Sequence, residues 1–230
     1  VNPWDAFAVD YEKWATVMTE DIPFYVELAR EAEGPVVELA VGNGRVAIPV
    51  AKAIDRPLLG IDISPAMLEQ ARANAEAAGV ELELREGDMR DLALDEPAAL
   101  IYCPFRGLQH LPNWADRRRT FERIAASLRP GGRFAWNVFV FNPHIAGKLD
   151  GQWQEDAPVR HRVDYVPTDA RIDLTLEAGA TIPLYWSTRA EWEGLLDVAG
   201  LETEALYGWF DRRPFDEESK EFVWVARRPT

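Results

Sequence analysis

Gly42 and Gly44 stand one residue apart, between a short apolar run and a stretch with helical spacing. Glycines at such a turn let the backbone approach a ligand with no side chain in the way, at the positive end of the following helix dipole. Asp62 closes the next apolar run, 18 positions after Gly44, where its carboxylate can accept both hydroxyls of a ribose. The chemistry implied is the holding of a nucleotide. A tight turn with no ligand is the plain alternative for these residues taken alone. Farther along, the run Ala98 to Cys103 is followed by Pro104-Phe105-Arg106-Gly107-Leu108-Gln109-His110. His110 has the one side chain here whose ordinary pKa suits a general base near neutrality, with a packing or helix-end role as the alternative. Arg106 offers a cation for an anionic substrate group, or a partner for one of the many carboxylates. Cys103, the only cysteine, reads as a small buried side chain rather than a nucleophile.

The elements that must position these residues follow a rhythm. Val36 to Ala40, Leu58 to Asp62, Glu81 to Arg85, Ala98 to Cys103 and Arg133 to Val140 read as strands, with helical segments between them. Ser64 with Pro65 opens one helix and Gly79 stops it; Asn113 opens another. Such alternation implies parallel strands joined by right-handed crossovers, a doubly wound α/β sheet. Asn137 and Phe139 then fall at the carboxyl end of the fifth strand, the edge where open α/β sheets bind ligands. After Pro143 the rhythm changes. His161 to Tyr165, Arg171 to Glu177 and Thr181 to Trp186 alternate apolar with polar residues, as strands of a small antiparallel sheet inserted into the domain. Thr188-Arg189-Ala190-Glu191 is a capping box that restarts the main fold, and the last two strands, near Glu202 to Phe210 and Glu221 to Arg227, are expected as antiparallel neighbours.

Bulk properties narrow the function. The 230 residues suit one domain with a full core, and 39 carboxylates against 25 Lys plus Arg leave a formal charge of −14. A surface of that sign repels phosphate backbones, so nucleic acid is not expected as a partner. No run approaches the roughly 20 apolar residues of a membrane span, and Val1 to Asp10 lacks a basic flank and an apolar signal core. A cytoplasmic location is expected, with no membrane partner, and self-association as a homodimer stays open. A lone cysteine excludes an internal disulfide and a cysteine-based zinc site. The nine tryptophans read mainly as core side chains, some of which could line a pocket for a flat or apolar ligand.

The fingerprint Gly42-x-Gly44-x-x-Ala47 fits NAD and S-adenosylmethionine equally. Three further features separate them. Gly87-Asp88-Met89 sets a carboxylate directly after the third strand, where an adenine amino group needs an acceptor. Leu128-Arg129-Pro130-Gly131-Gly132 precedes the fifth strand, and the sheet ends in an antiparallel pair rather than in a second mononucleotide-binding half. Together with Val37 to Arg45, Gly60 to Leu68 and Gly87 to Leu92, these segments make the chain resemble the class I S-adenosylmethionine-dependent methyltransferases, of the small-molecule type, along nearly its whole length.

That resemblance implies a Rossmann-like, mostly parallel seven-stranded sheet with an antiparallel C-terminal strand pair. It implies a single methyltransferase domain over residues 1–230, with a cofactor-covering segment at about 1–34 and an inserted antiparallel lid at about 144–187. The methionine moiety is expected over Ala40, Gly42 and Gly44, with Glu38 supporting the turn. The family usually has glycine at the position of Ala40. Asp62 is expected on the ribose, Ile63 on the adenine face, Asp88 on the adenine amino group and the Met89 backbone beside the ring. Tyr11 and Trp14 resemble the element that covers the cofactor. The stretch from Tyr102 to His110 is expected to face the reacting methyl group, with Cys103 on the cofactor side and Phe105, Arg106, His110, Asn137 and Phe139 toward the substrate. His110 is the candidate catalytic residue, and no metal is expected. The reaction implied is methyl transfer to a nitrogen or oxygen of a small molecule. An NAD(P)-dependent oxidoreductase and a noncatalytic nucleotide-binding module are the alternatives.

Overall fold

The computed structural model describes residues 11, 13, 14, 18–155 and 157–230. Most of the expected N-terminal cover, including all of Val1 to Asp10, therefore lies outside the described residues. The first described helix, α1 (Ile22–Glu31), precedes β1 (Val36–Leu39), α2 (Ala47–Ala53), β2 (Leu58–Asp62), α3 (Pro65–Ala78), β3 (Glu83–Glu86) and β4 (Ala98–Cys103). Helix α4 (Trp114–Ser127) and strand β5 (Leu128–Phe139) follow. The seven-stranded sheet is completed after the insertion by α6 (Arg189–Ala199), β10 (Glu202–Tyr207) and β11 (Glu221–Arg227). Strand order is β10-β11-β5-β4-β1-β2-β3, with β11 antiparallel to both of its neighbours and the other pairs parallel. This is the doubly wound sheet with its antiparallel C-terminal pair.

Burial on both faces explains why the central strands are apolar but for Glu38 in β1: every residue of β1 and β4 is buried. Helices α1, α2 and α3 cover one face, where Phe24, Tyr25, Leu28, Val50 and Leu68 pack on Val36, Leu100 and Tyr102. Helices α4 and α6 cover the other, where Phe121, Ile124, Trp192 and Leu195 pack on Leu39, Ile101 and Trp136. Trp136, Trp192 and Trp224 are fully buried and belong to this second core. Ring stacking joins Trp136 to Phe134 and Trp224 at centroid separations of 4.6 and 5.6 Å.

Caps set the helix limits where the sequence marks them. Ser64 Oγ accepts from Met67 N, Gly79 closes α3 at φ 66°, and Thr188 with Glu191 forms a reciprocal capping box on α6. One boundary differs from the expectation. Strand β5 begins at Leu128 rather than after the Pro130-Gly131-Gly132 turn. Ala98 pairs with Leu128 and Leu100 with Arg133, so the turn is an excursion within the strand, held by hydrogen bonds between Arg228 and the two glycines.

Between β5 and α6 lie α5 (Pro143–Leu149), β6 (Gln152–Gln154), β7 (His161–Val166), β8 (Arg171–Leu176) and β9 (Thr181–Tyr185). The strands form a separate antiparallel sheet in the order β6-β7-β8-β9. It docks on the main domain through Val159, Leu176 and Ile182, which bury Met67 from α3 and pack against Tyr11 and Trp14. Among the described residues, no helix is long and apolar enough to cross a membrane.

Candidate active site

Strands β1 and β4 are neighbours from which the chain winds away in opposite directions, toward β2 and β3 on one side and β5 on the other. Side chains at their carboxyl ends therefore border an open crevice. The backbone leaving β1 turns sharply there: Ala40, Gly42 and Gly44 take positive φ values of 53, 55 and 84°. Ala40 adopts the left-handed form at a cost of roughly 1–2 kcal/mol, which accounts for the usual glycine at this position. The turn is pinned from β2. Asp62, only 8% exposed, accepts from Gly42 N at 2.8 Å through Oδ2 and from Ser64 N at 2.9 Å through Oδ1. One carboxylate thus joins the glycine turn to the cap of α3.

Above this turn is a cavity of about 380 Å³. Ala40, Gly42, Asp62, Ile63, Asp88 and Met89 line the end nearest the turn. Ile63 is 40% exposed, an apolar face offered to a ring. Asp88 caps the short 3₁₀ turn Met89–Asp91 by accepting from Arg90 N, and the Arg90 side chain grips the same carboxylate. Hydrogen bonding from Arg90 holds the Asp88 carboxyl below its usual range despite partial burial, so it stays an acceptor at neutral pH.

Tyr11 closes the cavity from the N-terminal side. Its ring lies on Gly42, where an added Cβ would sit 3.3 Å from the ring edge, and it meets Phe105 edge-on at 5.9 Å. Burial pushes its hydroxyl up to about 12. Trp14 instead packs on His161, 5.1 Å away, as part of the contact with the inserted sheet. Arg45, directly after the turn, is held by Asp21 and the Met18 carbonyl, and its guanidinium stands 4.8 Å over the Phe105 ring.

Glu38 lies beneath the turn and is 1% exposed, with no hydrogen-bond partner for Oε2. Burial raises its pKa from the ordinary 4.5 to about 8. The folded state therefore holds a proton between those values that the unfolded chain releases. The stabilisation is complete below pH 4.5 and is lost as pH rises through 8. Glu38→Gln, which cannot ionise, should gain stability relative to the wild type on going from pH 5 to pH 9, by on the order of 4 kcal/mol. Urea melts at the two pH values measure this, and parallel behaviour of the two proteins would mean that Glu38 is ionised in the fold.

The far end of the cavity is walled by Pro104, Phe105, His110, Leu111, Pro183 and Tyr185. Pro183 and Tyr185 come from β9, the edge strand of the inserted sheet. The Pro183 carbonyl accepts from His110 Nδ1 at 3.2 Å. In the neutral ring this bond fixes the proton on Nδ1 and makes Nε2 the acceptor atom. Burial lowers the His110 pKa to about 4, so the imidazole is neutral at physiological pH and only a weak base.

The expected site residues thus fall into groups. Tyr11, Ala40, Gly42, Asp62, Ile63, Asp88, Met89, Phe105 and His110 line one cavity. Gly44 shapes the turn, and its added Cβ would strike Ile48 at 3.2 Å. Cys103 lies behind the wall: an added Cβ on Gly107 would come within 2.6 Å of its Sγ, and burial pushes the thiol pKa well up. Asn137 is fully buried, Arg106 is paired with buried Glu221, and the Phe139 ring lies under the Arg106 guanidinium at 5.4 Å. None of these three lines the cavity among the described residues. Met67, Arg90, Pro183 and Tyr185 line it without having been singled out in the sequence. Among the described residues, no cluster of three or more His, Cys, Asp or Glu could hold a metal.

A carboxylate beside a glycine turn, an exposed apolar face and an acceptor at the opposite rim fit an adenosyl group. Glu38 Oε2 and Asn43 Oδ1, buried at the turn, have no hydrogen-bond partner among the described residues.

Comparisons with known proteins agree with this geometry. A family model described as a methyltransferase domain matches residues 36–132. The 27-O-demethylrifamycin SV methyltransferase of Amycolatopsis mediterranei is 30% identical over 146 residues, which are 63% of this chain and 52% of that protein. The matched stretch spans about half the length of the curated relatives. The CcbJ methyltransferase of Streptomyces caelestis superposes with a TM-score of 0.81 at 25% identity, covering 97% of this chain and 96% of that one. An S-adenosylmethionine-dependent methyltransferase of Clostridium acetobutylicum shares the fold over 100% of both chains, with a TM-score of 0.81 at 15% identity. Sheet order, pinned glycine turn and family match coincide in one chain: residues 36–132 match a methyltransferase domain, and the chain has the fold of S-adenosylmethionine-dependent methyltransferases.

Proposed function

We propose that the protein transfers the methyl group of S-adenosylmethionine to a nitrogen or oxygen of a small-molecule acceptor. The observation that carries this reading is the single cavity running from Asp62 and the glycine turn to His110 under β9. Asp62 would hold the ribose, Ile63 and Met89 the adenine ring, Asp88 its amino group, and Ala40, Gly42 and Gly44 the methionine moiety. In this reading residues 1–230 act as one methyltransferase domain, with the segment around Tyr11 and Trp14 as cover and residues 144–187 as lid.

The bound cofactor supplies a methyl group on a positively charged sulfur. The chain's part is to align the acceptor with it and to exclude water, and alignment of two reactants can contribute about 7–11 kcal/mol. Tyr11, Phe105, Pro104 and Pro183 make an apolar surround suited to a charge that disappears during reaction. Neutral His110 accepts an N–H or O–H of the acceptor at Nε2 and so directs the acceptor's lone pair. With a pKa near 4 it orients the nucleophile rather than stripping its proton beforehand.

The test is mass spectrometry of a library of small amines and alcohols incubated with protein and S-adenosylmethionine. One methyl group should be added to an accepted compound. With that compound, His110→Ala should lower turnover by up to about 10²-fold and leave S-adenosylhomocysteine affinity unchanged. The wild-type rate should show no inflection near pH 6.5. Wild-type turnover in His110→Ala would remove His110 from the reaction.

A further inference from the structure

Phe105, which lines the cavity, and Arg106, which follows it, are consecutive non-glycine residues with φ of 51 and 66°. Backbone of this kind persists only where its surroundings over-determine it. Here three separate parts of the chain do so. Phe105 N donates to Asn137 Oδ1 at 2.9 Å, and the Tyr25 hydroxyl donates to the same oxygen at 3.0 Å. Asn137 Nδ2 donates to Glu221 Oε2 at 3.2 Å, and Arg106 closes the loop by donating to Glu221 Oε1 from Nε, at 3.1 Å, and from Nη2. Tyr25, Asn137 and Glu221 are at most 1% exposed, so the network is shielded from water except at Arg106.

A buried ion pair is poor evidence of added stability, since apolar replacements often serve as well. What this one does is local. The helix α1 and the strands β5 and β11 converge on one strained dipeptide in the loop after β4. The Phe105 ring projected from it supports Tyr11 edge-on and lies under Arg45. Tyr11 in turn lies on Gly42.

We propose that Glu221 is a positioning residue for cofactor retention: by anchoring Arg106 and Asn137 it keeps Phe105 left-handed and so holds Tyr11 down over the glycine turn. This inference rests on the assignment of the nucleotide end of the cavity to S-adenosylmethionine. Glu221 touches neither reactant; it acts through Phe105.

The experiment is stopped-flow dissociation of S-adenosylhomocysteine, well below the melting temperature of each variant. Glu221→Ala should release the ligand on the order of tenfold faster with little change in association, because a loosened closure acts mainly on the off-rate. Adding Arg106→Gly to Glu221→Ala removes one left-handed penalty and should bring the off-rate back toward the wild-type value. A general loss of stability would not respond in that way. If Glu221→Ala does not fold, Glu221→Gln, which keeps the shape but forfeits one of the two anchors, should show the same acceleration to a smaller degree. Off-rates equal to wild type in a folded variant overturn the proposal. Failure of the wild type itself to bind S-adenosylhomocysteine overturns the cofactor assignment instead, and the proposal with it.

Discussion

Asp21→Ala should lower the unfolding free energy by about 3–5 kcal/mol, the usual cost of stripping a buried charge of its partner. Asp21 has no exposed surface, and both of its oxygens accept from Arg45 at 2.6 Å. The Arg45 side chain is itself only 8% exposed, and it also donates to the Met18 carbonyl. Removing the carboxylate leaves a guanidinium that water cannot reach without disturbing the glycine turn it follows. A double replacement, Asp21→Leu with Arg45→Met, should recover much of the loss, since the desolvation cost of both charges disappears together. Urea denaturation of the two variants and the wild type measures the effect. A single variant within 1 kcal/mol of wild type (about the value of an exposed pair) would show that the pair is solvated in solution.

Asp62→Ala should weaken S-adenosylhomocysteine binding about tenfold or more, from the loss of a charge-assisted hydrogen bond typically worth ~1.5–3 kcal/mol. Two effects add here. The carboxylate is the expected ribose acceptor, and it also holds Gly42 N and Ser64 N. Without it the glycine turn loses its tie to β2, and two backbone donors lose their partner. Asp62→Asn keeps one acceptor oxygen, so it should restore much of the melting temperature but little of the affinity. Calorimetric titration separates these readouts, and unchanged affinity in Asp62→Ala would mean that the ribose is held elsewhere.

How much of this was legible in the chain depends on whether the signal was local. The caps at Ser64, Asn113 and Thr188 satisfy backbone donors within three residues of themselves, so residue type and spacing sufficed. The buried strands announced themselves by short, mostly apolar runs. Helix α1 went unread because its opening residue Asp21 makes no side-chain cap; its carboxylate is committed to Arg45 instead. Strand β6 is three residues long, too short for alternation to register.

At the site, the glycine turn, Asp62 and Asp88 were readable from spacing. The partners of Arg106 and Asn137 were not, because Glu221 is 115 positions from the one and 84 from the other. Both residues point to substrate contact by their place at the strand ends; in the fold Asn137 accepts from Phe105 N and donates to Glu221, and Arg106 pairs with the same Glu221. Pro183 and Tyr185 reach the cavity only because the inserted sheet lays its edge strand beside His110. No local pattern encodes that docking.

The most direct test of the central claim is a calorimetric titration of the wild-type protein with S-adenosylhomocysteine, run beside NAD and NADP at equal concentrations. S-adenosylhomocysteine should bind and raise the melting temperature by mass action, and the nicotinamide dinucleotides should do neither. Binding of NAD or NADP without binding of S-adenosylhomocysteine would contradict the account.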